Sequence, residues 1–187
     1  MKFDIDCVNP MLVGSMKLLK AEDTPEHRKL FMDELVKATF LSPTCIEPEP
    51  TVDENGETVI MQGAKVQFPM LNTKDKKSYY VLYTDKQSLQ EAEEIDNGTP
   101  ERFRSHVAAV TVDEIGGLLA TVGPQGQVNP AQGAIINPYS DSLIVGREML
   151  IGYFKSKMEF MKAKADQERR EMEDPKKVIP FPGNRQE

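Results

Sequence analysis

Apolar residues recur along this chain in two rhythms, one helical and one alternating or continuous, and the changes between them mark the elements. Asn9-Pro10 is a cap followed by proline at the first helical position, and Met11 to Lys20 continue with helical spacing. Thr24-Pro25 repeats the device. After it Leu30, Phe31, Leu35, Ala38 and Leu41 line one side of a helical wheel, with Lys29, Asp33 and Lys37 opposite. Pro43 is expected to stop this helix. Residues 46–57 form a proline-broken acidic connector. In it Asn55-Gly56 signals a tight turn, after which Thr58 to Met61 can return as a short strand.

Val66 to Leu71 and Tyr79 to Tyr83 read as strands joined by a polar turn, and Pro69 marks the first as an edge strand or a bulge. Two capping boxes follow, Thr84 to Gln87 and Thr111 to Glu114. In each, the threonine hydroxyl is expected to cap an orphan amide while the Gln or Glu reaches back. They open helices containing Leu89 and Ala92, and Ile115, Leu118 and Leu119. Further strands are predicted at His106 to Val110, Ala134 to Ile136 and Leu143 to Val145. A long helix begins near Arg147, with Ile151, Phe154, Met158, Met161 and Ala165 on one stripe that fails from Asp166. No internal repeat is visible. The pattern predicts a mixed α/β (α+β) fold. A single domain over residues 1–165 has two N-terminal helices, a central mixed sheet of about five strands and a long C-terminal helix. A polar, flexible tail covers 166–187.

Composition narrows the partners. Hydrophobic content of 39% and charged content of 28% fit a globular domain able to bury a core. The net charge of −7 argues against nucleic acid, whose phosphates need a clustered basic face. No long apolar run follows the N-terminus, so neither a signal peptide nor a membrane span is expected. Cys7 and Cys45 stand alone without CxxC spacing, which suits reduced, structural thiols in a cytoplasm.

Candidate chemistry is sparse. His27 falls in the first turn of the second helix and reads as a packing residue. His106 beside Ser105 can in principle serve a hydroxyl nucleophile, but such a pair carries no information without geometry. No metal and no cofactor are expected, since the cysteines and histidines match no zinc spacing and Asp53 to Glu57 lacks the ligand alternation of a calcium loop. Gly116-Gly117 and Gly123 to Gly126 form neither a GxGxxG nor a Walker-type loop and read as loop punctuation. Two corners remain as candidate ligand or partner sites: Asn137-Pro138-Tyr139-Ser140-Asp141 and Tyr83-Thr84-Asp85. If their strands are sheet neighbours, Asn137, Pro138, Tyr139, Asp141, Tyr83 and Asp85 share one edge and combine rings with amide and carboxylate groups.

Four segments together resemble the N-terminal domain of the SseB family. They are Leu35-Val36-Lys37-Ala38-Thr39-Phe40-Leu41-Ser42-Pro43, Val66 to Leu71, Tyr80-Val81-Leu82-Tyr83-Thr84-Asp85, and Gly133 to Pro138 with Ser142 to Val145. The resemblance covers roughly residues 8–155. It implies an α/β domain in a bacterial cytoplasmic protein and little chemistry, because the carrying motifs are structural. The functional expectation is a non-enzymatic binding or regulatory module. Its partner is an unidentified protein or a small polar ligand, with a homodimer through the C-terminal helix as one form. An enzyme acting on a small polar metabolite near His106 is the alternative.

Overall fold

Helices α1 (Pro10–Ala21) and α2 (Pro25–Leu35) begin where the two proline-led signals predict. At α2 the Thr24 hydroxyl accepts from the His27 amide at 3.1 Å, satisfying one orphan donor of the first turn. The computed structural model describes residues 7–56, 58–95, 100–103, 106–123 and 125–173. The chain divides into two compact units, Met1–Phe154 and Lys155–Glu187.

The helix expected to reach Leu41 ends at Leu35 instead, and Thr39–Glu47 is the longest strand, β1. Helical and extended readings compete over 36–47, and pairing decides. β1 lies antiparallel to β7 (His106–Thr111) over six residue pairs, from Thr39↔Thr111 to Thr44↔His106. Pro43 does not break it, for a reason visible only in the ladder. The Leu41 amide donates to Tyr83 O at 2.9 Å, so the amides of residues 41, 43 and 45 face the edge away from β7. Along that edge β1 meets Tyr83 at Leu41 and meets β4 (Lys65–Gln67) from Cys45 onward. Position 43 falls in the gap between these partners, where a missing donor costs nothing.

Pro69 plays a matching part. It separates β4 from β5 (Met70–Asn72), and at this break the chain leaves β1 and pairs with β6 (Ser78–Leu82). β6 runs parallel to β8 (Gly133–Ile136), which pairs antiparallel with β9 (Leu143–Gly146). The expected single sheet of about five strands is thus a β4-β1-β7 ladder and a β5-β6-β8-β9 ladder, stitched at the Leu41–Tyr83 bridge. The Asn55-Gly56 turn joins a separate two-stranded hairpin, β2 (Thr51–Val52) and β3 (Thr58–Val59).

Strand side chains alternate between two cores, which is why β6 and β8 read as continuous apolar runs. Phe40, Tyr80, Leu82, Val110 and Ile136 face α1, α2 and α4 (Val112–Ala120), with Leu12, Met16, Leu35, Ile115 and Leu119 from those helices. Leu41, Tyr79, Val81, Tyr83 and Ile135 face the other way, onto Leu89 and Ala92 of α3 (Lys86–Glu94). Full burial of each large side chain contributes about 1.5–3 kcal/mol, so the two faces together make this a layered helix–sheet–helix body.

Gly116 and Gly117, expected in a loop, lie inside α4. A Cβ at Gly116 would meet the Leu150 carbonyl and stand 2.8 Å from Phe154 Cβ, so the glycine permits a close helix crossing. The last helix, α5, runs Arg147–Glu173, past Asp166 where its apolar stripe ends, because 162–173 consists mostly of strong helix formers. Residues 174–187 of the expected tail lie outside the described residues. In the second unit, the described side chains from Lys155 to Arg170 are all exposed.

Candidate functional site

The two candidate corners do meet, at the C-terminal ends of the parallel strands β6 and β8. The Asn137 amide nitrogen of the backbone donates to Leu82 O at 2.9 Å. Its side chain closes the junction twice: Oδ1 accepts from the Thr84 amide at 3.0 Å and Nδ2 donates to Thr84 Oγ1 at 2.8 Å. Asn137 holds φ 46°, a left-handed conformation that asparagine tolerates better than most residues. Both Asn137 and Thr84 are buried. The two side-chain bonds between them hold the strand ends together, so these two residues form a latch.

Thr84 is therefore not the cap of α3, as the capping-box reading expected. Asp85 is, with Oδ1 accepting from the Ser88 amide at 2.7 Å and Oδ2 from Thr84 Oγ1 at 2.7 Å. The second box holds: the Glu114 carboxylate accepts from the Thr111 amide at 2.8 Å and its hydroxyl at 2.9 Å.

The N-terminal segment crosses the same seam. Asn9 Nδ2 donates to Thr39 O at 2.8 Å and to Thr84 O at 2.7 Å, and the Cys7 thiol donates to Thr39 O at 2.9 Å. The asparagine predicted as a helix cap thus ties β1 to the end of β6, and no side-chain cap bond forms at α1. Cys7 and Cys45 are both buried free thiols. Burial, opposed by the Asn9 hydrogen bond and reinforced by the Asp85 charge, pushes the Cys7 thiol above its ordinary value and keeps it protonated and unreactive.

Beside this seam opens a groove of about 710 Å³ between the start of α1 and the start of α3. Val8, Pro10, Val13 and Gly14 give it an apolar wall, while Lys17, Asp85 and Lys86 supply charges. Val8 is 77% exposed at its mouth. Lys17 reaches the second corner through an ion pair with Asp141 at 3.1 Å. Of the six predicted residues, Asp85 lines the groove and Asp141 adjoins it through Lys17, Asn137 and Tyr83 are buried, and Pro138 and Tyr139 are half-buried. Sequence reasoning missed Val8, Val13, Gly14 and Lys17. The signal available was Gly14, a helix-interior glycine that no neighbour requires: a Cβ there meets nothing within 4 Å.

His106 stands apart at the start of β7, its Nε2 4.0 Å from Glu49 Oε1, and Ser105 lies outside the described residues. His27 is half-buried with Nδ1 2.7 Å from Glu22 O, a local helix-end contact. Among the described residues no three His, Cys, Asp or Glu side chains converge on a metal position. No helix among them is long and apolar enough to cross a membrane.

Tyr83 sets a pH dependence for the seam. Burial, with Tyr139 and Glu93 nearby, raises its phenol far above the ordinary tyrosine value. The unfolded chain ionises this phenol near pH 10 while the folded chain does not, so the stability it lends is fully present below about pH 10 and is lost as pH rises beyond it. Urea midpoints at about pH 8 and about pH 11 should therefore fall further apart in the native chain than in Tyr83→Phe. Equal falls in the two proteins would show that Tyr83 contributes nothing to alkaline unfolding.

The fold and seam define a mixed α/β domain whose junction residues hold its strand ends together. Residues 12–150 match the family model of the SseB protein N-terminal domain, and the chain belongs to that family. No curated protein and no solved structure gives a significant match.

Proposed function

We propose that this chain is a non-enzymatic binding or regulatory module of the bacterial cytoplasm, with the groove between α1 and α3 as its recognition surface. The observation that carries this reading is the groove itself. An apolar wall with a few charges converging on it is the usual make-up of a ligand or peptide site, and here it adjoins both corners. The corner residues act from behind. Asn137 and Thr84 hold the strand ends, Asp85 starts α3 at the groove edge, and Asp141 orients Lys17. A small polar ligand or an extended peptide with an apolar side chain fits this lining. Helix α5 supplies a separate exposed surface for contact with another protein.

Gly14→Phe is the discriminating variant. The site has room for the added ring, a helix-interior glycine costs about 1 kcal/mol relative to alanine, and the ring would project into the groove. Native mass spectrometry of the chain purified from bacterial cytosol should show a retained small molecule or peptide that Gly14→Phe lacks, with the thermal midpoint of the variant undiminished. Retention unchanged in Gly14→Phe would move recognition elsewhere, and a chain that retains nothing in either form would count against the groove.

A further inference from the structure

Helix α5 carries a second recognition pattern, independent of the groove. Ile151 and Phe154 pack within the first unit, and beyond them Met158, Met161 and Ala165 continue the same alternating spacing of three and four, the spacing of a heptad seam. In the second unit this seam is open: Met158 is 54% and Met161 55% exposed. Their flanking positions are uniform in sign. Lys155 and Lys162 border the stripe on one side, Lys157 and Lys164 on the other. Between Lys155 and Arg170 six basic side chains face three acidic ones, in a chain whose net charge is −7.

That charge pattern selects the occupant. In a parallel pair of identical helices the two flanks face each other, and in an antiparallel pair each flank faces its own copy. Both arrangements set lysine against lysine, so self-association through this seam is opposed in either orientation. A helix with acidic flanks reverses every one of those contacts. A lipid surface fits less well. The stripe is only two positions wide, Phe160 is 68% exposed on another face, and Glu159 and Asp166 interrupt the basic side. Methionines at the seam suit a protein partner, because the unbranched thioether adapts to the side chains it meets.

We infer that the Met158–Met161 seam of α5 and its lysine flanks dock an acidic amphipathic helix of another protein. The inference stands on α5 alone and holds or fails separately from the groove reading. Two synthetic helices about three heptads long, with leucine at the seam and either glutamate or lysine at both flanks, are the probes. Their binding to the full chain is read by fluorescence anisotropy. The glutamate helix should bind at least about tenfold tighter than the lysine helix, with the gap narrowing in high salt. Reversing Lys155, Lys157, Lys162 and Lys164 to glutamate should invert the preference, and Met158→Ser with Met161→Ser should abolish binding. Equal binding of both helices, binding of neither, or a preference that survives the charge reversal would overturn the proposal. So would sedimentation equilibrium showing a dimer that Met158→Glu dissolves. Lysine-dependent co-sedimentation with vesicles of equal phosphatidylserine and phosphatidylcholine, by a chain that ignores both peptides, would assign the seam to a membrane instead.

Discussion

Gly133→Ala should lower folding stability by about 4 kcal/mol, combining steric overlap in a packed strand pair with a backbone conformation that L side chains avoid. Gly133 opens β8 at φ 145° and pairs with Gly146 of β9. A Cβ there would run into the Val145 carbonyl and stand 3.1 Å from the Arg147 amide. Neither obstacle is a flexible side-chain end. Both are backbone atoms, one in β9 and one at the first residue of α5, where the chain passes directly from strand to helix. Relief would require β8 and β9 to separate, and β8 is also the parallel partner of β6. For a body of this size the thermal midpoint should drop by about 10 °C. A midpoint within a degree or two of the native chain would mean that β9 can shift freely, and the tight β8–β9 approach would lose its significance.

The second large effect is expected at the latch. Asn137→Ala should cost about 3 kcal/mol: an unpaired buried Thr84 amide accounts for roughly 1–3 of this and the left-handed backbone for about 1. The substitution leaves the bond from the Asn137 backbone amide to Leu82 O in place and removes only the two side-chain bonds to Thr84. Asn137→Gly separates the two causes. It also loses the side-chain bonds but accepts the positive φ, so it should be milder than alanine by about 1 kcal/mol. Urea unfolding of the three proteins measures both differences, provided the slopes agree. If alanine and glycine variants both unfold with the native chain, the Asn137–Thr84 contacts do not hold the corners together. A loss at this point also bears on the groove, because Thr84 is bonded to Asp85, which starts α3 at the groove edge.

Local chemistry was legible where one residue type answers one local need. Proline after Asn9 and after Thr24 placed the starts of α1 and α2, and Glu114 three residues after Thr111 placed the start of α4. The aromatic and β-branched run Tyr79 to Tyr83 reads as a strand. Its apolar residues are continuous because they enter both cores in turn. The meeting of the two corners was also open to prediction, since each follows an apolar strand and parallel neighbours end on the same side.

The remainder depended on which strand lies beside which. Leu35 to Glu47 carries helical spacing through Leu41 and β-forming residues from Thr39, and only six pairs with β7 resolve the conflict. Pro43 is harmless because its nitrogen falls between two partners, and Pro69 is useful because the chain changes partners there. Asn9 left its predicted cap for carbonyls 30 and 75 residues away. By itself the sequence determined the starts of α1, α2 and α4, the strand at Tyr79 to Tyr83 and the family, since these rest on periods and caps read within a few residues. The tertiary structure alone decided the β1 strand, the latch and the groove. Each of these is made by hydrogen bonds and contacts between residues far apart in the chain, whose pairing no local preference specifies.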